Sequence, residues 1–388
     1  MTSHLLTFIV PTRNRQHCLK SLLDIFHRFF IMGENYFKVV ILDNSDNVFD
    51  MTNLGTMPFM LEYYHSNENL SVVENFNKGV QYVDGEFACF IGDDDLISFR
   101  VFEFVRLMKQ QKIEAAIVSE NTKAIYFWPG VSDRRWGSVG SKLFLNKYSG
   151  KVLISDVKDA IELVSIRCCD GPQSLPRAYS GIISKNAIDR VVKKHGNLFG
   201  GCSPDIYSSR LLASVISTVA YVDLPLIAAG ASPASTSAAR ASRSDIGGLT
   251  DNDHLSRFQH LEWDERIPKF YSPFTVWAQS YLQAEKQLGI DISNRALAFV
   301  YAKCILFARG NFSHIKAALK RSDNKLIIIY YLGIYVISLP FFFLISKMNL
   351  LLHRKPGGCA FEYTMIENSS DASQALDEAI ASIPFLCK

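Results

Sequence analysis

The chain has 388 residues, 48 % of them apolar and 20 % charged, with a formal net charge of +3. That length allows one large core or two modest ones, and near charge balance gives no case for nucleic-acid binding through bulk electrostatics. Eight cysteines without a C-x-x-C, several of them inside apolar runs, argue against a disulfide framework or a zinc site and for reduced, buried thiols.

Residues 5–10 are a short apolar run, read as a strand and too short for a signal peptide. The run passes directly into Pro11-Thr12-Arg13-Asn14-Arg15, so the N-terminal part is expected on the cytoplasmic side. Residues 17–30 carry Leu19, Leu22, Leu23, Phe26 and Phe30 at helical spacing, and 37–42 is again strand-like. A weaker strand covers 60–64, and 71–83 place Val72, Val73, Phe76, Val80 and Val83 on one helical face. Residues 87–91 read as a buried strand, 98–111 as a helix with Val101, Val105 and Met108 inward, and 115–118 as another strand. This alternation predicts an α/β fold, a mostly parallel sheet covered by helices on both faces.

Ligands of such sheets sit at the carboxyl ends of the strands. Three polar clusters fall there: Pro11-Thr12-Arg13, Asp43-Asn44-Ser45-Asp46 and Asp93-Asp94-Asp95. Adjacent carboxylates after a core strand repel one another, and folding alone does not ask for them. Mg²⁺ or Mn²⁺ does, because hard cations take oxygen ligands and share them with substrate phosphates. The plainer alternatives are a helix N-cap before 98–111, for which Ser98 is also available, and an Asx turn at Asp43.

Beyond residue 120, 124–128 resembles a strand and 133–137 a loop. Ser155 is a candidate cap for a helix reaching about residue 167; 179–183 is strand-like, and 185–195 form a helix ended by Gly196. Ser203 as N-cap and Pro204 at the first helical position start a helix running to about 217. Residues 228–248 are rich in Ala, Ser and Gly, include Arg240 and Arg243, and read as a mobile loop. Residues 251–321 look mainly helical. From 326 to 346 no residue is charged, a stretch long enough to cross a bilayer, although Pro340 allows a kink or two shorter pieces. Lys316, Lys320, Arg321 and Lys325 precede it; Lys347, Arg354 and Lys355 follow.

The motifs together resemble family 2 glycosyltransferases. Ile9-Val10-Pro11-Thr12-Arg13-Asn14-Arg15 is similar to the family's opening run, and Val39-Val40-Ile41-Leu42-Asp43-Asn44-Ser45-Asp46 to its second signature. Asn69-Leu70-Ser71, Asn77-Lys78-Gly79, Gly85-Glu86-Phe87 and Gly92-Asp93-Asp94-Asp95 follow in the family's order, so the likeness covers about residues 5–100. It implies a GT-A fold, a nucleotide-sugar donor of UDP, GDP or dTDP type, and inversion at the sugar carbon. By position, Pro11, Thr12, Arg13, Arg15, Asp43, Asn77, Asp93 and Asp94 would line the nucleotide-sugar, with Asp94 and Asp95 on the metal. One departure is Gly92, where the family commonly has an acid. Asp205, opening a helix whose N-terminus favours an ionised carboxylate, is the candidate base; Asp170 is its rival.

The resulting expectation is a metal-dependent inverting glycosyltransferase with a catalytic domain over 1–225, split into a nucleotide-sugar part (1–120) and an acceptor part (121–225). A mobile loop (226–250), a helical region (251–325), an apolar membrane-associated segment (326–352) and a tail (353–388) follow. The acceptor would be a saccharide or polyprenyl-linked saccharide in cell-surface polysaccharide or lipopolysaccharide assembly, at the cytoplasmic face of the inner membrane. The alternatives are a degenerate binding protein of the same fold and a sugar nucleotidyltransferase. The latter wants a glycine-rich phosphate loop that Pro11-Thr12-Arg13-Asn14 lacks.

Overall fold

Seven consecutive buried residues, Leu6–Thr12, form β1, and the equally buried Phe37–Asp43 form β2. Strands covered on both faces need no polar alternation, which is why both read as unbroken apolar runs. The computed structural model describes residues 4–54, 57–118, 124–235, 238, 246–249, 251, 253–308, 310–351 and 359–387. In it β1 and β2 lie parallel with Thr12 opposite Asp43, and β4 (Phe87–Phe90) pairs in parallel with the other edge of β1. β1 is thus the strand from which the chain order runs both ways, and the ends of β1, β2 and β4 share one rim. The β1–β4 ladder stops at Ile9, so Pro11, which has no N–H to give, lies beyond the pairing on that side.

The full sheet has nine strands. β3 (Met60–His65) lies outside β2; beyond β4 come β12 (Gly181–Ser184), β6 (Ala115–Ile117), β13 (Thr218–Val222), β11 (Lys151–Asp156) and β16 (Leu386–Cys387). The strand pairs β1–β2, β1–β4, β2–β3, β6–β13 and β11–β16 are parallel; β12 runs against both its neighbours. Helices α1 (Gln16–Ile31) and α3 (Val101–Gln111) cover one face, where Phe8, Leu22, Phe26 and Phe102 pack together. Helices α2 (Val72–Val80), α5 (Lys185–His195) and α6 (Pro204–Leu212) cover the other around Ile9, Phe76 and Phe90. The expected α/β architecture is present. A second sheet runs β15 (Phe361–Tyr363), β10 (Lys142–Leu145), β7 (Ala124–Phe127), β14 (Ile227–Ala231) and β5 (Leu96–Ile97).

Four readings change. Ser155 lies within β11, and Asp156 caps α4 (Val157–Val164) by accepting from the Lys158 N–H at 2.8 Å. The helix after Pro204 stops at Leu212, five residues early, to release β13. The segment read as a loop from 226 contains β14, whose Ala and Gly residues are there for space. A Cβ on Gly230 would stand 1.7 Å from the Asp94 carbonyl oxygen, so only glycine lets the strand meet the acidic run. Arg240 and Arg243 lie outside the described residues. The hairpin β8 (Ser132–Asp133) and β9 (Gly137–Ser138) takes the place of the 133–137 loop.

The helical region consists of the short α7 (Asp253–Ser256), α8 (Pro273–Gln287), α9 (Asn294–Phe307) and α10 (Phe312–Arg321). The apolar stretch is one helix, α11 (Lys325–Leu351), running through Pro340. Among the described residues, no helix is long and apolar enough to cross a membrane. The tail is not a free end. β15 joins β10, α12 (Ser369–Ile380) packs on α1, and β16 extends the main sheet beside β11.

Candidate active site

The acidic run leaves β4 and turns at once. Asp95 is buried, with Oδ2 accepting from the Gly92 N–H at 3.1 Å and Oδ1 from the Gly230 N–H at 2.8 Å. It ties the turn to β14. Asp94 accepts twice on Oδ2, from the Ser232 hydroxyl at 2.7 Å and the Ser232 N–H at 3.1 Å, just beyond β14. The Trp128 indole N–H holds the Asp94 carbonyl at 3.0 Å. Asp93 is fully buried between the Thr12 hydroxyl, which donates to Oδ2, and the Arg15 guanidinium, 2.6 Å from Oδ1. Arg15 also reaches Asp94 Oδ2 at 3.2 Å.

Three acids thus share one cation. Burial, then the neighbouring Asp94 charge, pushes Asp95 up to about 8, against the pull of two backbone N–H groups. Burial likewise raises Asp93 to about 7, although Arg15 and Thr12 oppose it. A further positive charge would relieve both.

The carboxylates fit a divalent ion in one limited way. Among the described residues no cluster of three metal-ligating side chains exists. Both Asp95 oxygens are engaged by backbone, whereas Asp94 Oδ1 has no hydrogen-bond partner among the described residues. One carboxylate oxygen suffices for Mg²⁺ or Mn²⁺ when substrate phosphates and water complete the shell. Of the expected pair, Asp94 therefore suits the ligand role and Asp95 the supporting one.

At the end of β2, Asp43 is buried and doubly engaged. Its Oδ1 accepts from the Ser45 N–H at 2.8 Å, an Asx turn, and its Oδ2 from the Tyr63 hydroxyl at 2.7 Å. Asn44 spans to the Ser66 and Glu68 carbonyls at 2.8 and 2.7 Å. Arg13 pairs with Asp46 at 2.8 Å, and Asn14, held at φ 51°, binds Ser45 and Asp46. A cavity of about 270 Å³ opens here, lined by Arg13, Asn44, Ser45, Ser66, Asn67 and Asn69 among others. Its polar wall beside Thr12 and Arg15 suits a nucleoside. Asn77 is placed elsewhere: its amide donates to the Phe199 carbonyl at 2.7 Å and accepts from the Phe199 N–H at 3.0 Å, strapping α2 to the approach of α6.

Asp205 opens α6 half-buried. Its Oδ1 accepts from the Ser203 hydroxyl and from the Ile206 N–H at 2.8 Å. Ser203 thus stands at the N-cap position but spends its hydroxyl on Asp205 rather than on the helix. The rival Asp170 pairs with Arg167 at 2.8 Å and Lys303 at 2.7 Å, whereas Asp205 has no ion pair among the described residues.

Three contributors have no motif. Ser232 and Gly230 reach the acids from β14, more than 130 positions away. Tyr179 lies beside Phe90, and its phenol is pushed well up by the Asp95 charge and burial, with smaller contributions from Asp94 and Asp205. It is thus within electrostatic reach of both the acidic run and Asp205. A Cβ on Gly92 would lie 3.0 Å from Asp95 Oδ2 and 3.2 Å from both Asp94 Oδ1 and the Tyr179 hydroxyl, so a side chain at 92 would crowd the acids and the phenol together. In the sequence Tyr179 is only the first residue of a strand.

Residues 7–147 match the family model described as Glycosyl transferase family 2. Among solved structures the chain is similar to S. aureus TarS 1-349 in complex with UDP-GlcNAc, at 12 % identity over 97 % of this chain and 91 % of that one, TM-score 0.45. It is also similar to S. aureus TarS 1-349 in complex with UDP, at 12 % identity over 81 % and 89 %, TM-score 0.41. At such scores these likenesses carry no functional argument beside the family match. No curated protein sequence matches.

Proposed function

We propose that the chain, whose residues 7–147 match the family 2 glycosyltransferase model, moves one sugar from a nucleoside-diphosphate donor to a saccharide or polyprenyl-linked saccharide, inverting the sugar carbon. The observation that carries this is the meeting of three strand ends. The nucleoside cavity beside β2, the Thr12–Arg15 turn after β1 and the undercompensated acids after β4 form one rim. Asp205, held through Oδ1 at the start of α6, is the remaining acid of the expected set.

The donor base and ribose would fill the cavity at Asn44 and Ser66, and the diphosphate would lie toward Arg15 and Asp94. A divalent ion held by Asp94 and the diphosphate would offset the charge that develops on the leaving nucleoside diphosphate. Arg15 contributes a fixed positive charge to the same place. Asp205 takes the acceptor hydroxyl's proton as the oxygen attacks from the face opposite the leaving group. Its Oδ2, which has no hydrogen-bond partner among the described residues, is the atom for that proton, while Ser203 and the Ile206 N–H fix the carboxylate through Oδ1.

The setting we propose is assembly of a cell-surface polysaccharide or lipopolysaccharide at the cytoplasmic face of the inner membrane. Calorimetry with UDP, GDP and dTDP, each with and without Mn²⁺ or Mg²⁺, tests the donor side. Tight, ion-dependent binding of one nucleotide is expected. Ion-independent binding removes the metal from the reading, and no binding of any nucleotide removes the reading itself.

A further inference from the structure

We infer that α11 does not cross a bilayer but lies along the surface of an anionic one, with its outer apolar stripe in the lipid and both its ends held on one side by the catalytic body. The inference rests on the membrane setting proposed above and adds to it a geometry.

The inner side of α11 belongs to the protein. Ile328 is fully buried, and Tyr331, Leu332, Tyr335 and Leu339 pack on the core beside α9. The Tyr335 ring stands edge-on to Phe299 at 5.2 Å, and Arg295 lies over Tyr331 at 5.2 Å. The outer side faces solvent. Leu326, Tyr330, Ile334, Ile337 and Phe341 are all exposed, from 42 % at Ile334 to 84 % at Leu326. Their spacings of four, four, three and four keep them on one stripe of the helix. Exposed apolar residues in such a row mark an interaction surface.

Charge selects the occupant. Lys316, Lys320 and Arg321 on α10 are exposed, and Lys325 is exposed at the start of α11, directly before Leu326 of the stripe. Asp323 is the acid among them, and Glu265 meets Arg321 at 3.3 Å. A basic flank on an apolar face suits a lipid surface of negative potential.

The tail fixes the topology. After α11 the chain returns to the same body. β15 pairs with β10, Arg28 binds Asp377 at 3.0 Å, and Asp377 accepts from the Phe99 N–H at 2.9 Å. β16 then joins β11, and Arg100 donates to the Ile380 carbonyl at 2.9 Å. From Leu351 to Cys359 there are eight steps of chain, at most about 29 Å fully extended. A bilayer with its headgroups is about 40–45 Å thick, and extended chain cannot pass bare through hydrocarbon. One crossing of α11 would leave its two ends on opposite faces, whereas both are fastened to one body.

The test is flotation of the full chain with vesicles of phosphatidylcholine alone and of phosphatidylcholine with phosphatidylglycerol. Binding is expected to the anionic vesicles, weaker with salt, and releasable by alkaline carbonate. Ile337→Asp with Phe341→Asp should lower it about tenfold or more, and Lys316→Glu with Lys320→Glu should lower it at low salt. Resistance to carbonate extraction would mean a spanning helix. Failure to bind vesicles, with sedimentation showing a dimer that Ile337→Asp disrupts, would put a second copy on the stripe. Either result overturns the inference. Nucleotide binding by calorimetry is independent of both outcomes, so failure here is distinguishable from failure of the glycosyltransferase reading.

Discussion

Two clusters of acids in this chain behave in opposite ways. In the cleft, Asp93 and Asp94 pair with Arg15, the one cation that the acidic run meets among the described residues, and burial leaves Asp93 near 7 and Asp95 near 8. In the helical region, Asp264 meets both Arg266 and Lys286, and Asp291 meets Arg266. Burial would raise Asp264 too, but hydrogen bonds from the two cations hold it well below the usual carboxylate range; Asp291 is likewise lowered by Arg266. The difference is stoichiometry. A cluster that serves only the fold pairs its charges, whereas the cleft keeps a surplus of negative charge that a ligand's cation would satisfy.

The largest expected break in this comparison is chemical. Asp205→Asn should lower the transfer rate by about 10²–10⁴ while leaving nucleotide affinity unchanged, measured by single-turnover transfer and calorimetry. Lost nucleotide binding would make Asp205 a structural residue.

Next in size is a stability effect confined to the paired side. Arg210 and Glu285 form a buried pair at 2.6 Å between α6 and α8. Glu285→Ala leaves the guanidinium buried and unpaired and should cost roughly 3–5 kcal/mol in denaturant unfolding. Nucleotide affinity of the folded fraction should hold.

Asp94→Asn should do the reverse. It should weaken ion-dependent nucleotide binding by about tenfold or more and leave the unfolding midpoint the same or higher, because the charge that disfavours ionisation of both Asp93 and Asp95 is gone. A falling midpoint with intact binding would place Asp94 on the structural side.

The smallest effect is a pair of opposed pH slopes. Asp93 has a folded value above its unfolded one, so the folded state binds the extra proton and stability falls as pH rises from about 4 to 7. Relative to wild type, Asp93→Asn should therefore gain melting temperature over that window. Asp264 has a folded value below its unfolded one, so its contribution is present above about pH 4 and disappears as pH falls. Asp264→Asn should lose melting temperature at neutral pH and approach wild type in acid. Equal slopes for both variants would end the distinction.

Local chemistry determined much of this protein from the sequence. Leu6–Thr12, Phe37–Asp43 and Phe87–Phe90 are legible because a strand buried on both faces is mostly apolar, with Thr7 and Lys38 the polar residues inside them. The polar residues that end them mark the rim because backbone groups at strand ends are free to meet ligands. Only the tertiary structure decided which acid is engaged and which is available. Asp93, Asp94 and Asp95 are chemically identical, and their difference is made by Thr12 and Arg15, by Ser232, and by Gly230. The small residues of β14 read as a loop because composition cannot distinguish freedom to move from the need for close approach. Tyr179 and the returning tail escaped for a related reason. A phenol beside Gly92 and a C-terminal strand beside β11 join residues far apart in the chain, and such contacts leave no periodic mark in the sequence.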